Sequence, residues 1–336
     1  MKKQRSLVIR SLLLSGVAAM MLSSCMFVPP KEKEEKTQKE TGVVQTPDNG
    51  TNDNASGNNS TDNLDNNSGN DTANQGDNSG TGSGNTDGTS ETPVQTKHGL
   101  SLVWNDEFNY TGVPNTSKWK YQTGAGGWGN NELQNYLDNT TEAKTAVVED
   151  NVLKIKAYKS GSKWYSARLN TKESWKYGYI EARLKVTDRK GAWPAFWMMP
   201  QKSVYGGWPN SGEIDIMENA PSTCGNHKAF STLHAEGHYA GNGAGIGIGS
   251  KVYDEDFSSE WHTFGILWEE DKITCFYDDK ERGSYSNNGT VRDWPYDEDF
   301  YVILNLAIGG DLGGTNDVGS LNGKAEFLVD YVRVYQ

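Results

Sequence analysis

From Gly99 onward this 336-residue chain predicts one large all-β domain, an antiparallel sandwich or jelly roll. Three observations carry that expectation. Apolar side chains recur with period two in one short run after another, the spacing that sends alternate residues to opposite faces of a strand. Gly-rich and Asp-rich turn signals separate the runs. No apolar stripe of period 3.6 is long enough for a substantial helix, so helices should be few and short.

The elements follow in order. In "NVLKIKAY" (151–158) the apolar members are Val152, Leu153 and Ile155. "YGYIEARLKV" (177–186) alternates more clearly, with Ile180, Ala182, Leu184 and Val186 on one face and Tyr179, Glu181, Arg183 and Lys185 on the other. "HTFGILWEE" (262–270), "KITCFYDD" (272–279), "FYVILNLAIGG" (300–310) and "EFLVDYVRVYQ" (326–336) continue the series. No internal repeat is visible, and so many strands in one stretch fit a single domain over 98–336 better than two.

The first part of the chain is different material. Met1-Lys2-Lys3-Gln4-Arg5, an apolar run from Ser11 to Leu22, and then Ser23-Ser24-Cys25 form a basic start and a short hydrophobic stretch. That stretch is too short to span a bilayer and reads as a signal peptide over 1–24. Small residues before Cys25 resemble a bacterial lipobox, which implies cleavage there and lipid on Cys25. Residues 25–97 then carry an Asn-, Gly-, Ser- and Asp-rich tract with almost no apolar side chains. Such a tract cannot bury enough surface to offset chain entropy and is expected to be a disordered tether. The expected location is that of an exported bacterial lipoprotein, at the outer membrane or cell surface, touching the membrane only through its lipid.

The net charge is −12, of which −9 falls on 98–336. An acidic domain argues against nucleic acid as a partner, and a monomer is expected. Cys224 and Cys275 remain for an exported chain, where a bridge is permitted. A bridge between them and two buried thiols both fit the sequence.

The chemistry concentrates in "GEIDIME" (212–218). Glu213 and Asp215 share one strand face and Ile214 and Ile216 the other, so Glu218 should turn inward. A carboxylate among isoleucines is costly unless paired or protonated. A bulge near Ile216-Met217, with Met217 as the extra residue, resets the register and returns Glu218 to the open face. Two carboxyl groups flanking a glycosidic bond are the equipment of a glycosidase, and the acid between them keeps their pKa values apart. A calcium loop would place its oxygen ligands on a turn, whereas here the acids alternate with isoleucines. Trp193, Trp197 and Trp208 stand just before the acids, and aromatic faces suit the C–H surface of a sugar ring. Trp193 and Trp208 sit beside Gly or Pro in expected loops; Trp197 and Trp104 fit a core equally well.

"GGWGNNELQNY" (126–136), "YSARLNTK" (165–172), "YGYIEARLKV", "WPAFWMMP", "GEIDIMEN" and "LVDYVRVYQ" together resemble a laminarinase-type member of glycoside hydrolase family 16. The resemblance covers essentially all of 100–336. It implies a concanavalin A-like β-jelly-roll sandwich with a concave catalytic cleft. The implied reaction is retaining endo-hydrolysis of β-1,3-glucan, with mixed β-1,3/1,4-glucan as a second substrate and no cofactor in catalysis. It implies Glu213 as nucleophile, Asp215 as assisting acid and Glu218 as acid/base. Trp193 and Trp197 match cleft tryptophans, Asn130 and Arg168 match contacts to the non-reducing side, and His234 matches a histidine near the acid/base. Glu107, Asn151 and Asp330 match a structural Ca2+ site, although the family often has Gly where Asn151 stands. The competing readings are a non-catalytic β-glucan-binding protein and a hydrolase of agar, carrageenan or xyloglucan. Retention of both Glu213 and Glu218 speaks against the first, and "GGWGNNELQ" against the second.

Overall fold

The structure is a computed structural model that describes residues 95–140, 144–239, 246–248 and 260–336. The expected leader, Cys25 and all but the last residues of the tether lie outside the described residues. Two sheets, of eleven and seven strands, account for most of the described chain. Among the described residues, helices are confined to single turns at Pro221–Cys224 and Gly310–Gly313 and a 3-10 segment at Thr315–Leu321.

The seven-stranded sheet runs in the order Ile246–Ile248, Ala229–His234, Glu213–Asn219, Ala192–Pro200, Phe300–Ile308, Arg168–Thr171, Trp119–Tyr121. All of its pairings are antiparallel. The larger sheet is built around Gly178–Val186 and Lys324–Tyr335, which pair along most of their length. Among the described residues, its one parallel pair joins Gln134–Tyr136 to Lys163–Ser166.

The core forms where the two alternating patterns meet. Leu153, Ile155, Ile180, Leu184, Phe327 and Val334 from the larger sheet join Phe196, Met198, Ile214, Leu304 and Leu306 from the smaller one in one buried cluster. Each such side chain contributes about 1.5–3 kcal/mol of burial. Phe300–Ile308, in the middle of the smaller sheet, is buried at almost every position.

On the second face of Gly178–Val186, Tyr179 and Glu181 are buried as well. The segment Thr96–Lys97 and the residue after it explain this. Lys97 forms an ion pair with Glu181, and the His98 ring lies 4.3 Å from that of Tyr179. Cys275 is free and buried, so no bridge joins it to Cys224.

Candidate active site

Gly212 opens the acid-bearing strand at φ +85°, and a Cβ there would meet the Tyr296 ring at 3.0 Å. From that turn Glu213 lies opposite His234, and Asp215 lies opposite Thr232 and Trp197. The register then slips. Glu218 pairs with Phe230 on one side and Ala195 on the other, so each neighbouring strand spans the gap with one residue fewer. The expected bulge is therefore present, with one correction. Met217 has a partner, Phe196, and Ile216 is the residue without one in that ladder. Both are buried in the core. The Ser231 hydroxyl donates to the Ile216 carbonyl at 2.7 Å, so the bulge does not leave that oxygen unpaired.

All three acids reach a cleft of about 600 Å³ on the open face of the smaller sheet. Each glutamate has an indole donor. Trp208 Nε1 donates to Glu213 Oε2 at 2.7 Å, and Trp193 Nε1 donates to Glu218 Oε1 at 2.9 Å. His234 Nε2 lies 3.2 Å from Asp215 Oδ2. Burial pushes the Glu213 carboxyl up to about 8, with Asp215 beside it adding to the rise and His234 and Trp208 opposing it. Burial also raises Asp215, to about 7, and pushes Glu218 well above the usual carboxylate range. Three carboxyl groups so close cannot all be ionised at neutral pH. Oxygens of Glu213 and Asp215 and a ring nitrogen of His234 lie within 4.8 Å of one another, so a proton held by Asp215 leaves Glu213 as the anion while Glu218 keeps its own proton.

The cleft walls are aromatic and polar. Trp197 Nε1 donates to Asn305 Oδ1 at 2.6 Å. The Arg168 guanidinium lies between two indoles, 4.6 Å from Trp197 and 5.1 Å from Trp128, a geometry that favours a cation over ring faces. Asn130 Nδ2 donates to Glu132 Oε1 at 3.3 Å. Glu132 also accepts from Gln134 at 2.5 Å and from the Tyr136 hydroxyl at 3.2 Å. Trp193, expected in a loop, lies instead within the strand Ala192–Pro200.

The family profile of glycosyl hydrolases family 16 matches residues 133–328. The chain belongs to glycosyl hydrolases family 16. It is 39% identical over 260 residues to a glucan endo-1,3-β-glucosidase of Cryptopygus antarcticus, covering 70% of this chain and 92% of that one. It is 36% identical over 269 residues to glucan endo-1,3-β-glucosidase A1 of Niallia circulans, covering 71% of this chain but spanning 38% of that longer protein. Among solved structures, the laminarinase from Rhodothermus marinus superposes with a TM-score of 0.65 at 36% identity, covering 70% of this chain and 96% of that one.

In this family-16 glycoside hydrolase the nine expected catalytic and substrate-binding residues all line one cleft. His234 sits opposite Glu213 and against Asp215, at the end of the strand away from Glu218. Sequence reasoning missed Trp128, Glu132, Tyr239 and Asn305, which also line it. Trp128 and Glu132 stood within a quoted motif, and Asn305 was the one polar residue in the apolar run "VILNLAI".

The expected calcium residues do not fit a cation as they stand. Both Glu107 carboxylate oxygens accept from Arg333 at 2.8 Å, and Asp330 is bound by Arg183 at 2.8 Å. Asn151 sits in a turn at φ +59°. A calcium ion there would compete with Arg333 for both Glu107 oxygens and with Arg183 for Asp330 Oδ2. Among the described residues, the metal-like cluster of three is Glu213, Asp215 and His234, in the cleft itself.

One stability prediction follows from the buried acids. A carboxyl whose pKa is raised by folding binds its proton more tightly in the folded state. Its stabilising effect is complete at low pH and is lost as pH climbs from the unfolded value of 4.5 toward the higher folded one. Glu218→Gln removes the ionisation and keeps an oxygen for Trp193. It should melt about 2–8 °C above the parent near pH 8, corresponding to ~1–2 kcal/mol, with the gap closing near pH 5. Parallel melting curves at the two pH values check this. A gap independent of pH would refute the burial account.

Proposed function

We propose that this hydrolase cuts internal β-1,3 linkages of glucans such as laminarin by double displacement, with Glu213 as nucleophile and Glu218 as acid/base. The observation that carries the reading is the bulge, which returns Glu218 to the cleft face beside Glu213 and Asp215. The names of the relatives support β-glucan as the substrate class, and mixed β-1,3/1,4-glucan is the second candidate.

In the first step Glu218 gives its proton to the glycosidic oxygen while a Glu213 oxygen attacks the anomeric carbon, forming a glycosyl ester. The leaving chain departs with the proton. In the second step Glu218, now a carboxylate, takes a proton from water, whose oxygen attacks the same carbon and releases Glu213. Trp193 occupies Glu218 Oε1, which leaves Oε2 to carry the transferred proton. Asp215 holds the proton that Glu213 must lack, and His234 supports the negative charge they share. Trp197 and the stacked Arg168 supply an aromatic and cationic wall for the sugar rings. The leader and Asn-rich tract support export and anchoring through a lipid on Cys25.

Two inversions at one carbon restore its configuration. Proton NMR of the first reducing ends released from laminarin should show the β-anomer, the α-anomer appearing only by mutarotation. An initial α-anomer would exclude this mechanism. Reducing-sugar release across laminarin, lichenan, agar and xyloglucan by residues 95–336 distinguishes a glucanase from a binder and from the other hydrolases.

A further inference from the structure

We propose that Trp208 is a positioning residue for the nucleophile, holding one oxygen of Glu213 so that the other faces the anomeric carbon. This rests on Glu213 being the nucleophile. A tryptophan that serves only as a stacking surface needs its ring face in the cleft and makes no demand on its N–H. Trp208 is committed through that N–H, donating to Glu213 Oε2 at 2.7 Å. It is 48% exposed, so core packing does not dictate its place.

The surrounding loop fixes the indole instead. Tyr205 binds Asp297 through its hydroxyl at 2.9 Å, and its backbone N–H donates to the Ser211 hydroxyl at 3.0 Å. Ser211 in turn donates to the Gly206 carbonyl at 2.7 Å. Trp208 therefore projects from a loop closed at its base, with Tyr239 edge-on at 5.6 Å and the His234 ring at 6.1 Å.

The two indole donors differ in a way that matches the two roles. Trp193 is buried in a strand and meets the glutamate that must keep a proton. Trp208 meets the glutamate that must lose one. A hydrogen bond donated to a carboxylate stabilises the charged form and is among the stronger kinds. The other groups facing Glu213 act in both directions. Asp215 on its own strand opposes its ionisation, and His234 on the adjacent strand favours it, while Glu218, which keeps its proton, feels the Glu213 charge in turn. Tyr301 and Tyr296 lie near enough to feel the Glu213 charge. The hydrogen bond that Trp208 donates to Glu213 favours the anion.

The test compares Trp208→Phe, which keeps a ring without the N–H, with Trp208→Ala. The readouts are the pH dependence of kcat/KM on laminarin and labelling by an activated 2-deoxy-2-fluoro-β-laminaribioside. For Trp208→Phe, kcat should fall about 10- to 100-fold with KM within about threefold of the parent. The acidic limb should move up by roughly one pH unit, and labelling should slow in parallel. A Phe variant with parental kcat, labelling rate and acidic limb would overturn the proposal, leaving Trp208 a stacking surface. Mass spectrometry of the labelled peptide keeps the two readings apart. Label on a residue other than Glu213 defeats the assignment of the nucleophile, whereas parental labelling on Glu213 in Trp208→Phe defeats only the role of Trp208.

Discussion

Replacing Glu213 with alanine is expected to lower laminarin hydrolysis by roughly 10⁴-fold or more, because the other cleft carboxyl groups are committed elsewhere, Glu132 to Asn130, Gln134 and Tyr136. Asp215 is buried and faces His234, and Glu218 is bound to Trp193 and must act as acid. Replacing Glu218 should lower the same activity by roughly 10²- to 10⁴-fold. The two losses should differ in kind. Glu218→Ala should still open aryl glycosides whose leaving groups need no proton, and with azide should give the β-glycosyl azide, since Glu213 still forms the ester. Glu213→Ala with azide should give the α-glycosyl azide by a single displacement. Product configuration by NMR decides the matter. The same azide anomer from both variants would mean the roles are misassigned.

Deleting Met217 or Ile216 should leave a folded protein with measurable hydrolysis, despite their position between two catalytic residues. The neighbouring strands already provide for the shorter chain. Between the partners of Asp215 and Glu218 each has a single residue, Phe196 on one side and Ser231 on the other. Removing one bulge residue gives Glu213-Ile214-Asp215, one apolar residue and Glu218, with all three acids still on the cleft face. The cost is one buried apolar side chain, about 2–5 kcal/mol including the cavity. Deleting Ile214 has another outcome. It puts Glu213 and Asp215 next to each other on opposite faces, drives one carboxyl toward the core, and should abolish activity. Circular dichroism confirms folding and reducing-sugar release measures the rest. If all three deletions fold and all are equally inactive, the bulge does not do what its register suggests.

These expectations draw on two kinds of information. Whatever depends on the local period of the chain was legible in the sequence. The alternation of Glu213, Ile214 and Asp215, and its failure at Glu218, required a bulge before any fold was known. The two-residue period elsewhere indicated an all-β sandwich, and the scarcity of longer apolar periods indicated few and short helices. Side-chain direction along a strand follows from backbone geometry that neighbouring residues share.

Which distant side chains meet was decided by the tertiary structure. Ile216, and not Met217, lacks a partner because Phe196 on another strand is in register with Met217. Glu107 and Asp330 carry oxygens that suit a cation, yet Arg333 and Arg183 reach them first across the sheet. Tyr179 and Glu181 lie on the face opposite Ile180 and Ala182, and only the tertiary structure brings Lys97 and His98 against them. Trp193 and Trp208 announced aromatic surface, but not that their N–H groups would each hold a different glutamate. Such contacts depend on strand pairing and loop closure between residues far apart in the chain, and a local pattern carries no record of that register.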